Sequence, residues 1–123
     1  MSILEDFNQL AGLPEDVEID GKTYKAYCLN FTEMMQYQAN DPQITELDES
    51  GKPKKRLSIV WDGNSMKNSL WVLYCNLRRQ DPEVEKMGFE EFVKAAPGNA
   101  HLFYEPLISK SLDMSRSIQK KKI

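Results

Sequence analysis

The stretch "DVEIDGKTYKAYCLNF", residues 16–31, decides the fold of this chain. Apolar and polar residues alternate on both sides of Asp20-Gly21, and that pair is the strongest short signal for a two-residue hairpin turn. Folding about it pairs Ile19 with Lys22 and Val17 with Tyr24. Val17, Ile19, Tyr24, Ala26 and Cys28 then share one face, and Thr23, Lys25, Tyr27 and Leu29 the other.

Helical periodicity flanks the hairpin. Upstream, Ile3, Leu4, Phe7, Leu10 and Ala11 recur at helical spacing and stop at Gly12 and Pro14, which predicts a short amphipathic helix. Downstream, Thr32 is placed to cap "EMMQYQAN", with Glu33 in the first turn and Asp41-Pro42 as the stop. Residues 43–56, "QITELDESGKPKKR", form a polar insertion that swings from acidic to basic and reads as a long surface loop. "LSIVW" serves equally as a short strand or as the lead into the next helix.

The longest apolar run is "SLWVLYCNLRRQDPEV", residues 69–84. It predicts a helix capped by Asp62, Asn64 or Ser65 and reaching Arg79, with Asp81-Pro82 as the stop. Met66, Leu70, Leu73, Tyr74 and Leu77 form its buried stripe, and Trp71 and Cys75 widen it. Lys67, Asn68, Asn76 and Arg78 lie behind, while Arg78 and Arg79 suit the carbonyl end of the dipole. "FEEFVKAA" predicts a helix burying Phe89, Phe92, Val93 and Ala96. A last helix starts near Asn99 with Leu102, Phe103, Leu107, Ile108, Leu112 and Ile118, and Pro106 kinks or reopens it. The expected fold is therefore a single α+β domain, residues 1–123, with a small antiparallel hairpin packed with four or five helices. It carries an N-terminal helix in residues 1–16 and a basic tail at 119–123.

Composition narrows the function. With 123 residues, one domain can bury a sufficient core without a metal or disulfide. A net charge of −3 disfavours nucleic-acid binding, because phosphate contacts need clustered bases. The runs "KPKKR" and "KKKI" lack the interleaved aromatics of a strand-binding surface. No run reaches membrane-span length, and "MSILEDFNQL" lacks a basic leader. Cys28 and Cys75 leave room for one disulfide, but buried thiols in a reducing cytoplasm are the favoured reading.

Chemical signatures are sparse. His101 is the only histidine, and neither cysteine has a partner at zinc-site spacing. The acid pairs Glu15-Asp16, Asp48-Glu49 and Glu90-Glu91 fall in loops or at helix starts, where they stay ionised. "DGNSMKNS" lacks phosphate-loop spacing. No catalytic residue, cofactor or metal is expected. What remains is a generous supply of methionine and aromatic side chains: Met34, Met35, Trp61, Trp71, Phe103 and Tyr104. Such residues fill cores, and they also furnish adaptable binding surfaces.

The element order carries a resemblance. The hairpin "IDGKTYKAYCLNF" feeds a helix beginning "TEMM"; a polar insertion follows, then a helix ending "LRRQDPEV", the acidic short helix "FEEFVK" and a last helix. From about residue 17 to about residue 115 this order resembles the tail assembly chaperones of long-tailed bacteriophages. The likeness implies a non-enzymatic α+β protein that binds the tape measure protein, keeps it soluble and helps recruit tail tube protein. It also implies self-association, a place in the host cytoplasm and absence from the mature virion. Members are often made in two forms by ribosomal frameshifting. Lys120, Lys121 and Lys122, encoded by adenine-rich codons, would lie over such a slippery site. A structural virion component and a small DNA-associated regulator stand as alternatives.

Overall fold

The computed structural model describes residues 2–39 and 65–118. Trp61, Lys120, Lys121, Lys122, the insertion at 43–56, and the expected caps Asp62 and Asn64 lie outside them. A nine-residue helix, α1 (Ile3–Ala11), opens the chain, capped by the Ser2 hydroxyl accepting from Glu5 N–H at 3.2 Å. The hairpin follows as β1 (Glu15–Ile19) and β2 (Lys22–Ala26). Its antiparallel register is the expected one, with Val17 opposite Tyr24 and Ile19 opposite Lys22. Asp20 and Gly21 both have positive φ, 52° and 78°, as a two-residue turn between twisted strands requires. Then come α2 (Phe31–Ala39), α3 (Ser65–Leu77), α4 (Pro82–Lys86), α5 (Phe89–Ala95), α6 (Ala100–Phe103) and α7 (Glu105–Arg116).

The molecule is thus a two-stranded antiparallel sheet with helices, an α+β domain. Seven helices are present among the described residues where four or five were expected, because two proline positions start helices. Asp81, read as part of a stop, caps α4 by accepting from Glu83 N–H at 3.0 Å, with Pro82 in the first turn, where its missing donor costs nothing. Pro106 opens α7 in the same way and divides the last helix into α6 and α7.

Helix α3 is the spine. Trp71, Val72, Leu73 and Cys75 are all essentially buried, and so are Lys67 and Asn76 on the side expected to face solvent. A one-sided stripe does not describe α3. Helix α7, which also carries the hairpin, packs against α3, and so do α2, α4, α5 and α6, so α3 meets protein on several sides. Only its first turn emerges, which leaves Met66 exposed. Leu107, Ile108 and Met114 of α7 complete the core with Phe89 and Phe92 of α5. Trp71 meets Phe89 edge-on, with centroids 5.1 Å apart and planes at 86°.

Asn76 can be buried because, among the described residues, no third strand pairs with the outer edge of β2. Gln80 accepts from Lys25 N–H at 2.8 Å and donates to Lys25 C=O at 2.8 Å. Asn76 Oδ1 accepts from Tyr27 N–H, Ser111 Oγ donates to Tyr27 C=O, and Ser115 Oγ accepts from Leu29 N–H. Asn76 Nδ2 donates in turn to Val72 C=O and to Ser111 Oγ, both at 2.8 Å. Side chains of α7, of α3 and of the turn after it replace the missing ladder along this edge. Strand alternation ends at Ala26, which places Cys28 beyond β2 and lets Leu29 turn into the core rather than away from it.

The start of α2 corrects two expectations. Asn30, not Thr32, caps it: Asn30 Oδ1 accepts from Glu33 N–H at 2.8 Å, and Glu33 Oε1 accepts from Asn30 N–H at 2.9 Å. This is a reciprocal capping box. Arg78 and Arg79 do not merely neutralise the end of a helix. Arg79 grips Glu33 through both carboxylate oxygens, at 2.5 and 3.0 Å, and Arg78 adds a bond of 2.6 Å. The Arg78 guanidinium also lies 5.0 Å from the Tyr74 ring centroid.

Candidate functional site

The expected partner-binding residues fall into different environments. Trp71 is 0% exposed, and its indole N–H donates to Glu33 C=O at 3.0 Å, so it belongs to the core and presents nothing to a partner. Met34 packs inward and Met35, its neighbour on α2, points outward. Phe103 is 46% exposed, stacked edge-on to Tyr104 at 4.9 Å. Tyr104 lines an apolar cavity.

That cavity is an apolar groove of about 230 Å³, open on one side. Leu73 and Leu77 of α3 form its floor, and Val84 and Met87 one wall. Phe92, Ala95, Ala96 and Pro97 form the other, and Ala100 and Tyr104 close the end. Local structure sets each wall. The Asp81 cap turns α4 so that Val84 faces inward, and Met87 N–H bonds back to Val84 C=O at 3.1 Å. Tyr74 donates its hydroxyl to Met87 C=O at 2.8 Å and fixes the α4–α5 link to the core. Alanines at 95 and 96 keep the mouth open, since larger side chains would fill it.

Chemically the groove offers shape and apolar surface. Its one polar side-chain atom is the Tyr104 hydroxyl, which lies 3.5 Å from the Tyr24 hydroxyl, with the two rings edge-to-face at 5.4 Å. The bond to Tyr24, aided by burial, pushes the Tyr104 phenol up to about 12, so it stays neutral. The groove therefore contains no acid, base or nucleophile able to turn over a substrate.

Two buried titratable groups, Cys75 and Glu33, serve structure. Burial, reinforced by the Glu33 carboxylate, pushes the Cys75 thiol far up, and a protonated buried thiol is inert. Both cysteines are free thiols, and Cys28 is half-buried. For Glu33, burial opposes ionisation, but the bonds from Arg79, Asn30 and Arg78 outweigh it and hold the carboxyl below its ordinary range. Among the described residues, no group of three or more His, Cys, Asp or Glu is placed to hold a metal ion. Nor is any helix there long and apolar enough to cross a membrane.

No family model matches the chain, nor does any curated protein or solved structure. Two apolar surfaces stand out: the groove, and α1, none of whose residues is buried. Of the groove lining, Leu77 and Ala96 were legible as members of buried helix faces, whereas Val84 and Met87 carried no conspicuous sequence signal. A trace existed in "DPEVEKMG". Once Asp81-Pro82 is read as a helix start, Val84 and Met87 fall three apart on one face.

Proposed function

We propose that this chain is a non-enzymatic tail assembly chaperone of a long-tailed bacteriophage, which binds an amphipathic helical segment of the tape measure protein. The observation that supports it is the groove. Its walls are apolar, its mouth is open, and its one hydroxyl is already engaged by Tyr24. A client helix would seat its apolar ridge there, as amphipathic helices do in hydrophobic grooves. The acidic balance of the chain favours a basic client and disfavours nucleic acid. Bound in this way, the long client stays soluble while tail tube protein is recruited. The chaperone acts in the infected host's cytoplasm and is left out of the finished virion. A frameshifted longer form, arising at Lys120 to Lys122, belongs to the same proposal; a broken adenine run in the gene would refute it.

Co-expression with the long helical protein encoded by a neighbouring reading frame tests the proposal. A soluble complex that is lost with Ala96→Arg, together with absence of the chain from purified particles, supports it. A client that stays insoluble, or the chain found in mature particles, refutes it.

A further inference from the structure

Helix α1 is amphipathic, yet none of its residues is buried. Ile3, Leu4, Phe7 and Leu10 form one stripe, each 50% exposed or more, and Leu13 just beyond is 85% exposed. A nine-residue helix without tertiary packing is marginal in water, whatever its caps. The Ser2 cap and the Gly12 stop set where α1 begins and ends, but the free energy that holds it must come from a surface covering the stripe.

The charge around that stripe is one-sided. From Met1 to Gly21 the chain holds six acids, Glu5, Asp6, Glu15, Asp16, Glu18 and Asp20, and no lysine or arginine. All six are exposed. Lys110 pairs with Glu15 and Lys25 with Asp16. Glu5, Asp6, Glu18 and Asp20 make no ion pair among the described residues. Asp6 follows Ile3 by three residues and precedes Leu10 by four, so it borders the apolar stripe. We propose that α1 is a docking helix that inserts into an apolar groove rimmed by lysine and arginine on a different protein. Charge complementarity selects this occupant. A second copy of the chain is disfavoured, because α4 and α5, which wall its groove, carry Glu83, Glu85, Glu90 and Glu91 against Lys86 and Lys94. An anionic bilayer is disfavoured too, since helices that lie on membranes carry lysine and arginine on the polar face and α1 has neither. Five side chains at about 100 Å² each bury roughly 500 Å² of this chain. With the partner's share the total is about 1,000 Å², at the low end for a specific complex, so the contact is transient and steered by charge.

No α1 residue lines the groove of this chain, so a client there and a second protein on α1 can be held at once. The probes are two designed helical bundles with the same apolar groove, one rimmed by lysines and its twin by glutamates. Isothermal titration of the full chain at low salt is expected to show the lysine-rimmed bundle bound about tenfold or more tighter than its twin, with the preference shrinking as salt rises. Phe7→Ser with Leu10→Ser, at exposed positions that leave urea unfolding unchanged, should weaken that binding about tenfold. Glu5→Gln with Asp6→Asn should narrow the preference between the two rims. Hydrogen exchange at the amides of residues 7–11 should slow in the lysine-rimmed complex alone. Ala96→Arg, which fills the groove, should change none of this, so failure of this inference and failure of client binding are read separately. Equal affinity for both bundles, binding to neither, or an affinity indifferent to the Phe7 and Leu10 changes would each overturn the proposal. So would partition of the chain onto phosphatidylglycerol vesicles through α1, or a homodimer lost with the same two substitutions.

Discussion

Replacing Glu33 by glutamine keeps the side chain's volume and an oxygen for the Asn30 N–H, but removes the charge that two arginines share. Glu33 is 2% exposed and accepts four hydrogen bonds, from Asn30, Arg78 and twice from Arg79, which saturates its carboxylate. At a separation of about 4 Å and an effective dielectric near 20, each ion pair contributes about 4 kcal/mol of attraction. Desolvation of the carboxylate cancels much of that sum, and breaking a buried pair costs about 3 to 5 kcal/mol. Because the arginine side chains keep 26% and 29% of their exposure and can turn to water, the lower end applies, about 3 kcal/mol. Glu33→Ala also loses the capping box and should cost about 1 kcal/mol more.

Urea unfolding measures both. For a domain this size the glutamine variant should melt roughly 10 °C lower. The pH dependence has a definite sign. A carboxyl whose pKa is lower in the folded chain contributes stability above its ordinary value of 4.5 and loses it as pH falls through the folded value. The wild-type chain should therefore lose stability in acid more steeply than Glu33→Gln, and the two should converge there. A glutamine variant within about 0.5 kcal/mol of wild type at pH 7 would refute the reasoning.

Other outcomes follow from the same geometry. Asn76→Ala strips partners from Tyr27 N–H and Ser111 and leaves a cavity beside α3. It should cost about 2 to 4 kcal/mol in denaturant unfolding and speed hydrogen exchange at the Tyr27 amide. A thiol reagent should label Cys28 in the native protein, while Cys75 reacts only on unfolding; labelling of both at equal rates would contradict its burial. Spectrophotometric titration should find Tyr104 ionising near 12, and Tyr24→Phe should bring it back toward the ordinary value of 10.

Much of the fold was legible because local chemistry dictated it. Asp20-Gly21 sets the hairpin register, and the Gly12 stop, the α5 face and the Pro106 break all follow from backbone preferences. Burial of Lys67 and Asn76 was not legible, since periodicity treats a polar side chain as solvent-facing. Asn76 goes inside because the edge of β2 needs a donor and an acceptor, a demand created only by tertiary packing. Arg78 and Arg79 show the same lesson, for a cation at a helix end reads as dipole chemistry until Glu33, 45 residues away, is brought beneath it. The α4 start was legible but misread, because Asp-Pro both ends one helix and begins another. The groove was the least visible feature. Its walls join α3, α4, α5 and α6, and Trp71, the most conspicuous aromatic, went to the core beneath it.

The most direct measurement is methyl NMR of the full chain titrated with a synthetic amphipathic helix from the proposed client, a tape measure protein. Shifts should concentrate at the Leu77, Val84, Met87 and Ala96 methyls, saturate at one helix per chain, and vanish in Ala96→Arg. Unperturbed groove methyls at saturating peptide, or shifts confined to the hairpin, would contradict a chaperone that holds its client there.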